Sequence, residues 1–319
     1  MSARLPVVAF FASSIAVVGL SVLSGASTVA PVSGTPATSV TSAAVPSPAL
    51  PRADDLTFGD SAGTVLVGLT IRPAQPGPNT LLVYVLPLQG PEAAADVPVS
   101  MTVAGQPIAL DTCSGTCRAA NVSLSGGERI DVTAGGTSGA TASFDLPSLP
   151  APDGTGLLQQ VQNRMHQLHT YHVDETLGPA MPLLQAAYLF EAPDRMQLTP
   201  SNGATTVWIG PTRYTRQVDS GNWQAEDSGT SPPVPSFVWD LPKFGGSYVG
   251  VHVVDAETLD GVETRLLSFF LDVGQTPVWF RLSADGSGLV RHASMRAQGH
   301  FMEHQYTDFD APISIEPPV

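Results

Sequence analysis

Residues 264–309 read TRLLSFFLDVGQTPVWFRLSADGSGLVRHASMRAQGHFMEHQYTDF. This stretch contains four apolar runs separated by turn residues, namely Thr264–Leu271, Val278–Leu282, Leu289–Arg296 and His300–Phe309. Short apolar runs bounded by Gly, Asp and Gln predict consecutive strands joined by tight turns. The stretch therefore indicates an antiparallel meander.

The same pattern extends upstream from this meander. Seven further runs precede it: Tyr171–Glu175, Ala186–Glu191, Met196–Thr199, Thr205–Ile209, Arg213–Gln217, Asn222–Ala225 and Tyr248–Asp255. Before them Leu158, Val161, Met165 and Leu168 fall at helical spacing, and Pro235–Leu241 (PSFVWDL) suggests a second, short helix. About eleven strands exceed an ordinary flat sheet. We therefore expect a curved half-barrel sheet packed on a helix over residues 150–319.

Residues 56–149 have shorter strand-like runs. The runs are Thr64–Arg72, Asn79–Leu86, Val97–Val103, Pro107–Leu110, Arg118–Leu124, Arg129–Thr133 and Thr141–Asp145. Seven strands at this spacing predict an immunoglobulin-like β-sandwich. The expected fold is thus mainly β with one or two helices, with the sandwich preceding the half-barrel.

The N-terminus has the character of an export segment. Leu5–Ser24 has no charged residue, follows a single Arg4 and ends near the small residues Gly25 and Ala26. We expect residues 1–26 to be a cleaved signal peptide or, if uncleaved, a membrane anchor. Residues 27–55, rich in Ser, Pro and Ala, are expected to form a flexible linker. The protein is predicted to be extracytoplasmic, either secreted or anchored to the outer face of the cytoplasmic membrane.

Composition narrows the classes of partner. The formal net charge of −14 argues against nucleic acid as a partner. The two cysteines, Cys113 and Cys117, are separated by three residues, and a disulfide between them is the natural expectation outside the cytoplasm. A metal clamp formed by the two thiolates is the alternative.

One segment matches a hydrolase motif in its residues but not in the predicted elements around it. Residues 59–63 (GDSAG) match G-x-S-x-G, which requires a buried strand before the serine and a helix after it. Here a linker precedes the motif and a predicted strand follows it. We therefore interpret the motif as a turn, and no catalytic residues are predicted.

A metal site is a second hypothesis. His300, Met302 and His304 alternate on one face of the last predicted strand. If Gln298-Gly299 forms a tight turn, Met295 lies opposite Met302. Thioether and imidazole groups suit copper, whereas filling of a core by methionine is the plainer interpretation.

The second half of the chain resembles the LolA-like and LppX/LprG-like carriers of bacterial envelopes. The segments that carry the resemblance are Tyr188–Met196 (YLFEAPDRM), Thr206–Gly210 (TVWIG), Pro277–Phe280 (PVWF) and Asp308–Pro312 (DFDAP). The resemblance implies a half-barrel closed by helices over a lipid-sized cavity. The first half, through Pro76–Thr80 (PGPNT) and Cys113–Arg118 (CSGTCR), resembles the YtkA/FixH-like sandwich in the extracytoplasmic tail of CopD-like copper-resistance proteins.

These observations together predict a non-enzymatic envelope protein that binds or carries a hydrophobic, lipid-like ligand. The side chains expected to line the cavity are Phe190, Trp208, Phe269, Leu271 and Trp279. The alternative is a copper-binding or copper-resistance accessory protein that uses Met295, His300, Met302 and His304, with copper as its cofactor. A structural scaffold without ligand is a third hypothesis. A membrane protein is a further expected partner.

Overall fold

The computed structural model describes residues 50–87, 97–114, 116–135, 139–178, 183–217, 221–240, 247–272 and 277–318. These residues contain twenty strands and one helix, which confirms the mainly β prediction. The predicted export segment 1–26 lies outside the described residues, as does the predicted linker up to residue 49. Among the described residues, no helix has the length and hydropathy needed to cross a bilayer.

The first nine strands form two antiparallel sheets. They are β1 Leu56–Ala62, β2 Val65–Arg72, β3 Gly77–Leu86, β4 Val99–Val103, β5 Gln106–Ile108, β6 Asp111–Ser114, β7 Cys117–Leu124, β8 Arg129–Ala134 and β9 Ala140–Asp145. One sheet has the order β1-β2-β3-β7-β6 and the other β5-β4-β8-β9. Side chains of both sheets share one core, in which the rings of Phe58 and Phe144 lie 5.9 Å apart. The assignment of these sheets to the immunoglobulin-like class stays a prediction.

The remaining strands form a single eleven-stranded antiparallel sheet, the number that the sequence predicts. They are β10 Thr170–Gly178, β11 Leu184–Glu191, β12 Arg195–Pro200, β13 Thr205–Ile209, β14 Thr212–Arg216, β15 Gln224–Asp227, β16 Ser247–Leu259, β17 Val262–Asp272, β18 Pro277–Asp285, β19 Val290–Ala297 and β20 His300–Thr307. Their order is β15-β14-β13-β12-β11-β10-β20-β19-β18-β17-β16. The first and last strands of the predicted half-barrel, β10 and β20, thus pair at its centre.

The helix α1, Thr155–Met165, begins immediately before this sheet. Leu158, Val161 and Met165 of its predicted apolar stripe are buried. Asp153 accepts hydrogen bonds from the backbone N–H (2.9 Å) and the hydroxyl (2.7 Å) of Thr155. The carboxylate therefore satisfies a donor that the first turn of a helix leaves free.

The first five-stranded sheet packs against one face of the large sheet. Trp279 on β18 is 1% exposed and lies against two glycines of the first sheet, Gly59 and Gly68. Its ring contacts Tyr84 and Phe270, with centroids 5.8 and 5.3 Å away. Residues Pro48–Val319 form one compact unit. Strands from both sides of residues 149 and 150 share a buried cluster. The division into two domains at this point stays a prediction.

Three local predictions differ from the structure. Residues 59–62 of the GDSAG segment belong to strand β1 rather than to a turn; Gly59 lacks a side chain because Trp279 occupies that space. Residues 234–240 form bends and a turn instead of a helix. At the end of the predicted linker, Asp55 is buried and paired with Arg72, so this end is docked.

The expected disulfide between Cys113 and Cys117 is present, with the two Cα atoms 5.3 Å apart. Cys117 is buried in the cluster that joins the two sheets, whereas Cys113 is exposed. We call seam the contact between the first five-stranded sheet and Trp279 and Phe270 of the large sheet. The short covalent loop therefore closes the β6–β7 hairpin beside the seam.

Candidate ligand-binding face

Strand pairing defines which side chains share a face of the large sheet. We call inner face the side that meets α1 and residues 231–240. Across β11, β10, β20, β19, β18 and β17, side chains of this face pair in register, and the central members are Tyr188, Val173, Tyr306, Met302, Met295, Phe280 and Phe269. Because side chains alternate along a strand, every second residue joins this face. The centre of the inner face is thus mainly apolar and aromatic.

The segment 231–240 packs its aromatic side chains onto the centre of this face. Phe237 and Trp239 are buried, and their rings stack 5.0 Å apart. The Tyr171 hydroxyl donates to the Ser236 carbonyl (3.3 Å) and accepts from its N–H (3.2 Å), and the Tyr248 hydroxyl donates to the Trp239 carbonyl (2.5 Å). Side chains of the sheet therefore fix the backbone of the segment that covers it.

The described cover is small beside the sheet. Eleven strands at about 4.8 Å spacing extend over about 48 Å, whereas a helix of the length of α1 is about 16 Å long and about 10 Å wide. The indole Nε1 of Trp239, a buried donor, has no hydrogen-bond partner within the described part of the chain. The central side chains of the inner face are nonetheless buried, and the half-buried Trp208 and Leu177 lie away from its centre.

Four of the five predicted cavity residues share the inner face. Phe190 stacks on Tyr171 with centroids 4.5 Å apart, Trp208 is half-buried on β13, and Phe269 and Leu271 are buried on β17. Trp279 does not join them, because it follows the opposite alternation and lies in the seam with the first sheet.

A polar cluster lies within the inner face. We call Glu175 cluster the side chains of Glu175, Tyr188, His304 and Tyr306. The two Glu175 oxygens lie 2.8 Å from the Tyr188 hydroxyl and 2.9 Å from Nε2 of His304, and Nδ1 of His304 lies 3.0 Å from the Tyr306 hydroxyl. Since β10 and β20 pair Glu175 directly with His304, strand register alone creates the contact.

The environment of the cluster keeps its members in defined charge states. Burial opposes the charged form of Glu175. The hydrogen bond and charge interaction with His304, together with the hydrogen bond from Tyr188, outweigh burial, so the pKa of Glu175 lies below its usual range. Burial raises the pKa of Tyr306 and of Tyr188, and the neighbouring carboxylate adds to the rise. The cluster therefore holds an ionised carboxylate among neutral phenols.

The predicted copper set has the predicted register. Gln298-Gly299 is the hairpin turn, Met295 pairs with Met302, and His304 pairs with Ala293. However, both ring nitrogens of His304 already have protein partners. Burial also lowers the pKa of His300, with Glu175 acting in the opposite sense. Within the described residues, no group of three or more His, Cys, Asp or Glu side chains could hold a metal. The copper alternative is not supported.

Sequence reasoning overlooked Glu175. Its signal is the inward-facing series of β10, Tyr171, Val173, Glu175 and Leu177, in which one carboxylate interrupts an apolar alternation. A carboxylate at an inward-facing position requires partners, because burying an unpaired charge is costly.

No family model and no curated protein matches this chain. Among solved structures, the Mycobacterium tuberculosis lipoprotein LppX matches with a TM-score of 0.39 and 15% identity over 50% of this chain and 97% of its own. LprF from Mycobacterium bovis matches with a TM-score of 0.36 and 13% identity over 53% and 99%. A DUF1329 family protein from Desulfovibrio piger matches with a TM-score of 0.23 and 11% identity over 52% and 95%. Each likeness covers about half of this chain.

Proposed function

We propose that the inner face binds a hydrophobic, lipid-like molecule and that the protein is a non-enzymatic carrier or acceptor of that molecule in the cell envelope. The observation that supports this most is the apolar and aromatic centre of the inner face, which continues through β11 and β12 to the half-buried Trp208 on β13. Burial of apolar surface contributes roughly 25 cal/mol for each Å². A ligand that covers part of this face would therefore be held by area rather than by polar contacts.

The chemistry of the face favours an apolar ligand over a polar one. On β10 and β20, Glu175 is the one carboxylate that faces inward. Met295 and Met302, which are directly opposite each other, offer flexible thioether chains that adapt to irregular ligand shapes. The half-buried Trp208 adds an aromatic side chain on β13, two strands from the β15 edge of the sheet.

Export belongs to the same proposal. The Cys113–Cys117 disulfide supports an oxidising compartment, where such bonds form and persist. Alkylation of free thiols in intact cells, followed by mass spectrometry, tests it: the two cysteines should escape alkylation unless the sample is reduced first. Alkylation without reduction would count against an extracytoplasmic location.

The binding proposal is tested with N-phenyl-1-naphthylamine, a neutral apolar dye that becomes fluorescent in apolar sites. The purified protein should bind it saturably. Trp208→Ala should weaken binding on the order of tenfold, which corresponds to about 1.4 kcal/mol, because the indole lies on the inner face. Ile209→Ala is the matched control, since Ile209 is the half-buried next residue on the opposite face.

Two results would overturn this proposal. The first is an absence of saturable dye binding, which would favour a scaffold without ligand. The second is an equal effect of Trp208→Ala and Ile209→Ala, which would mean that the dye binds elsewhere. Native mass spectrometry of the protein isolated from its own cells complements the titration, because a co-purified lipid would appear as a mass increment.

A further inference from the structure

The Glu175 cluster gives the inner face a polar point that an apolar ligand alone does not need. Its four side chains come from three adjacent strands, β11, β10 and β20. Glu175 and His304 are buried, with 8% and 7% exposure, whereas Leu177, the next inner-facing residue on β10, is half-buried. The carboxylate therefore lies one inward-facing position from the margin of the packed interior.

The free hydrogen-bonding capacity of the cluster is that of an acceptor. An ionised carboxylate offers about four lone-pair positions, and described donors occupy two of them, one from Tyr188 and one from His304. The Tyr188 hydroxyl hydrogen is directed to Glu175. The Tyr306 hydroxyl shares a hydrogen bond with Nδ1 of His304. What the cluster lacks is further donors.

Apolar side chains border the cluster on one side. Leu177 follows Glu175 on the inner face and pairs with Met302, which in turn pairs with Met295. Leu184 pairs with Leu177, and beside it Leu183 is 43% exposed. An alkyl chain that lies along these residues would bring its polar end to Glu175.

We propose, as a refinement that rests on the proposed function, that the inner face selects amphiphiles whose polar end is an uncharged hydroxyl, which donates a hydrogen bond to Glu175. A fatty acid carboxylate would place a second negative charge beside Glu175, which disfavours binding. An ester of the same chain length lacks both the charge and the donor. The expected order of affinity is alcohol, then ester, then carboxylate.

The test uses three probes of equal chain length, 1-dodecanol, methyl dodecanoate and dodecanoate, as competitors of N-phenyl-1-naphthylamine on the full chain at pH 7.5. Dodecanol should displace the dye at a concentration at least about tenfold lower than dodecanoate, with the ester between them. Glu175→Gln, which removes the charge at constant size, should reduce the difference between alcohol and acid. Asp174→Asn is the matched control, since Asp174 is exposed on the opposite face of the same strand, and it should keep the difference.

The outcomes separate the two proposals. If the dye itself does not bind, the proposed function fails and the refinement fails with it. If the dye binds but dodecanoate competes as well as dodecanol, the refinement alone is wrong. Full retention of the alcohol preference in Glu175→Gln would also overturn it. If Glu175→Gln does not fold, the order of affinity of the three probes on the unchanged protein still decides the proposal, and Tyr188→Phe replaces Glu175→Gln as the variant.

Discussion

The seam between the first sheet and the outer face of the large sheet can be tested through Gly68. A Cβ atom added at Gly68 would lie 2.3 Å from Cζ2 of Trp279, far inside the roughly 3.5–4.0 Å of carbon contacts. The indole cannot move aside easily, because Tyr84 and Phe270 hold it from other directions. Overpacking of this kind costs about 1–3 kcal/mol. We expect Gly68→Ala to fall at the upper end, about 3 kcal/mol.

The measurement is urea unfolding of the full chain, followed by tryptophan fluorescence and circular dichroism. Gly156→Ala is the control, since a Cβ at this position in α1 meets nothing within 4 Å and alanine favours a helix by up to about 1 kcal/mol. Trp279→Ala alone should cost about 3–5 kcal/mol. Combined with Gly68→Ala it should cost no more than it does alone, because the clash has been removed. Equal stability of Gly68→Ala and Gly156→Ala, or simple additivity of the two costs, would refute the described seam.

Two further predictions concern pH and the disulfide. The pKa of Glu175 is lowered in the folded protein. The stabilising contribution of the ionised carboxylate is therefore complete above the unfolded pKa, near 4.3, and is lost as the pH falls through the folded pKa. Between pH 5 and the acid limit, the unfolding midpoint of Glu175→Gln should fall less steeply than that of the unchanged protein, and parallel curves would contradict this. Replacing the disulfide by Cys113→Ser with Cys117→Ala should lower the free energy of unfolding by about 2 kcal/mol, as expected for a very short loop. The double variant should bind the dye as the unchanged protein does. A loss of dye binding would show that the inner face depends on the β6–β7 hairpin.

The eleven strands of the large sheet and the last hairpin could be predicted from sequence because both depend on local signals. In the first two sheets, β1 and β6 were not among the seven predicted strands. Gln298-Gly299 separates two alternating runs, and a two-residue turn fixes the register; the pairing of Met295 with Met302 follows from it. The helix α1 is predictable for the same reason, because its apolar stripe has the helical period.

The positions of Trp279 and Gly59 could not be predicted in this way. Trp279 is next to Phe280, and both are buried, so composition does not tell which faces the helix. Alternation separates them only when the opposite face is known to be covered by another sheet. The sequence pattern places Gly59 in a turn. The structure requires a glycine there because the side chain of Trp279, far away in sequence, occupies the space of a Cβ atom. Such non-local packing leaves no periodic signal.

Residues 234–240 illustrate a related limit. The pattern PSFVWDL is compatible with a helical turn, but the segment takes an irregular course. Its backbone is held by the hydroxyls of Tyr171 and Tyr248, which belong to distant strands. Tertiary hydrogen bonds thus override a weak local preference.

The burial pattern of the large sheet distinguishes positions that packing explains from the position of Glu175, which packing alone does not explain. Leu266–Leu271 on β17 is buried without interruption, as expected of a strand covered on both faces. On β10 the inward Tyr171, Val173 and Glu175 are buried, whereas the outward Asp174 is exposed. The apolar side chains of this strand therefore pack mainly on the inner face. Glu175 breaks that series, and an ionised carboxylate there costs free energy that an apolar side chain would not. A departure from the apolar alternation of a strand is expected at functional sites. Selection among ligands should therefore be sought at Glu175 on the inner face rather than in the broader aromatic core.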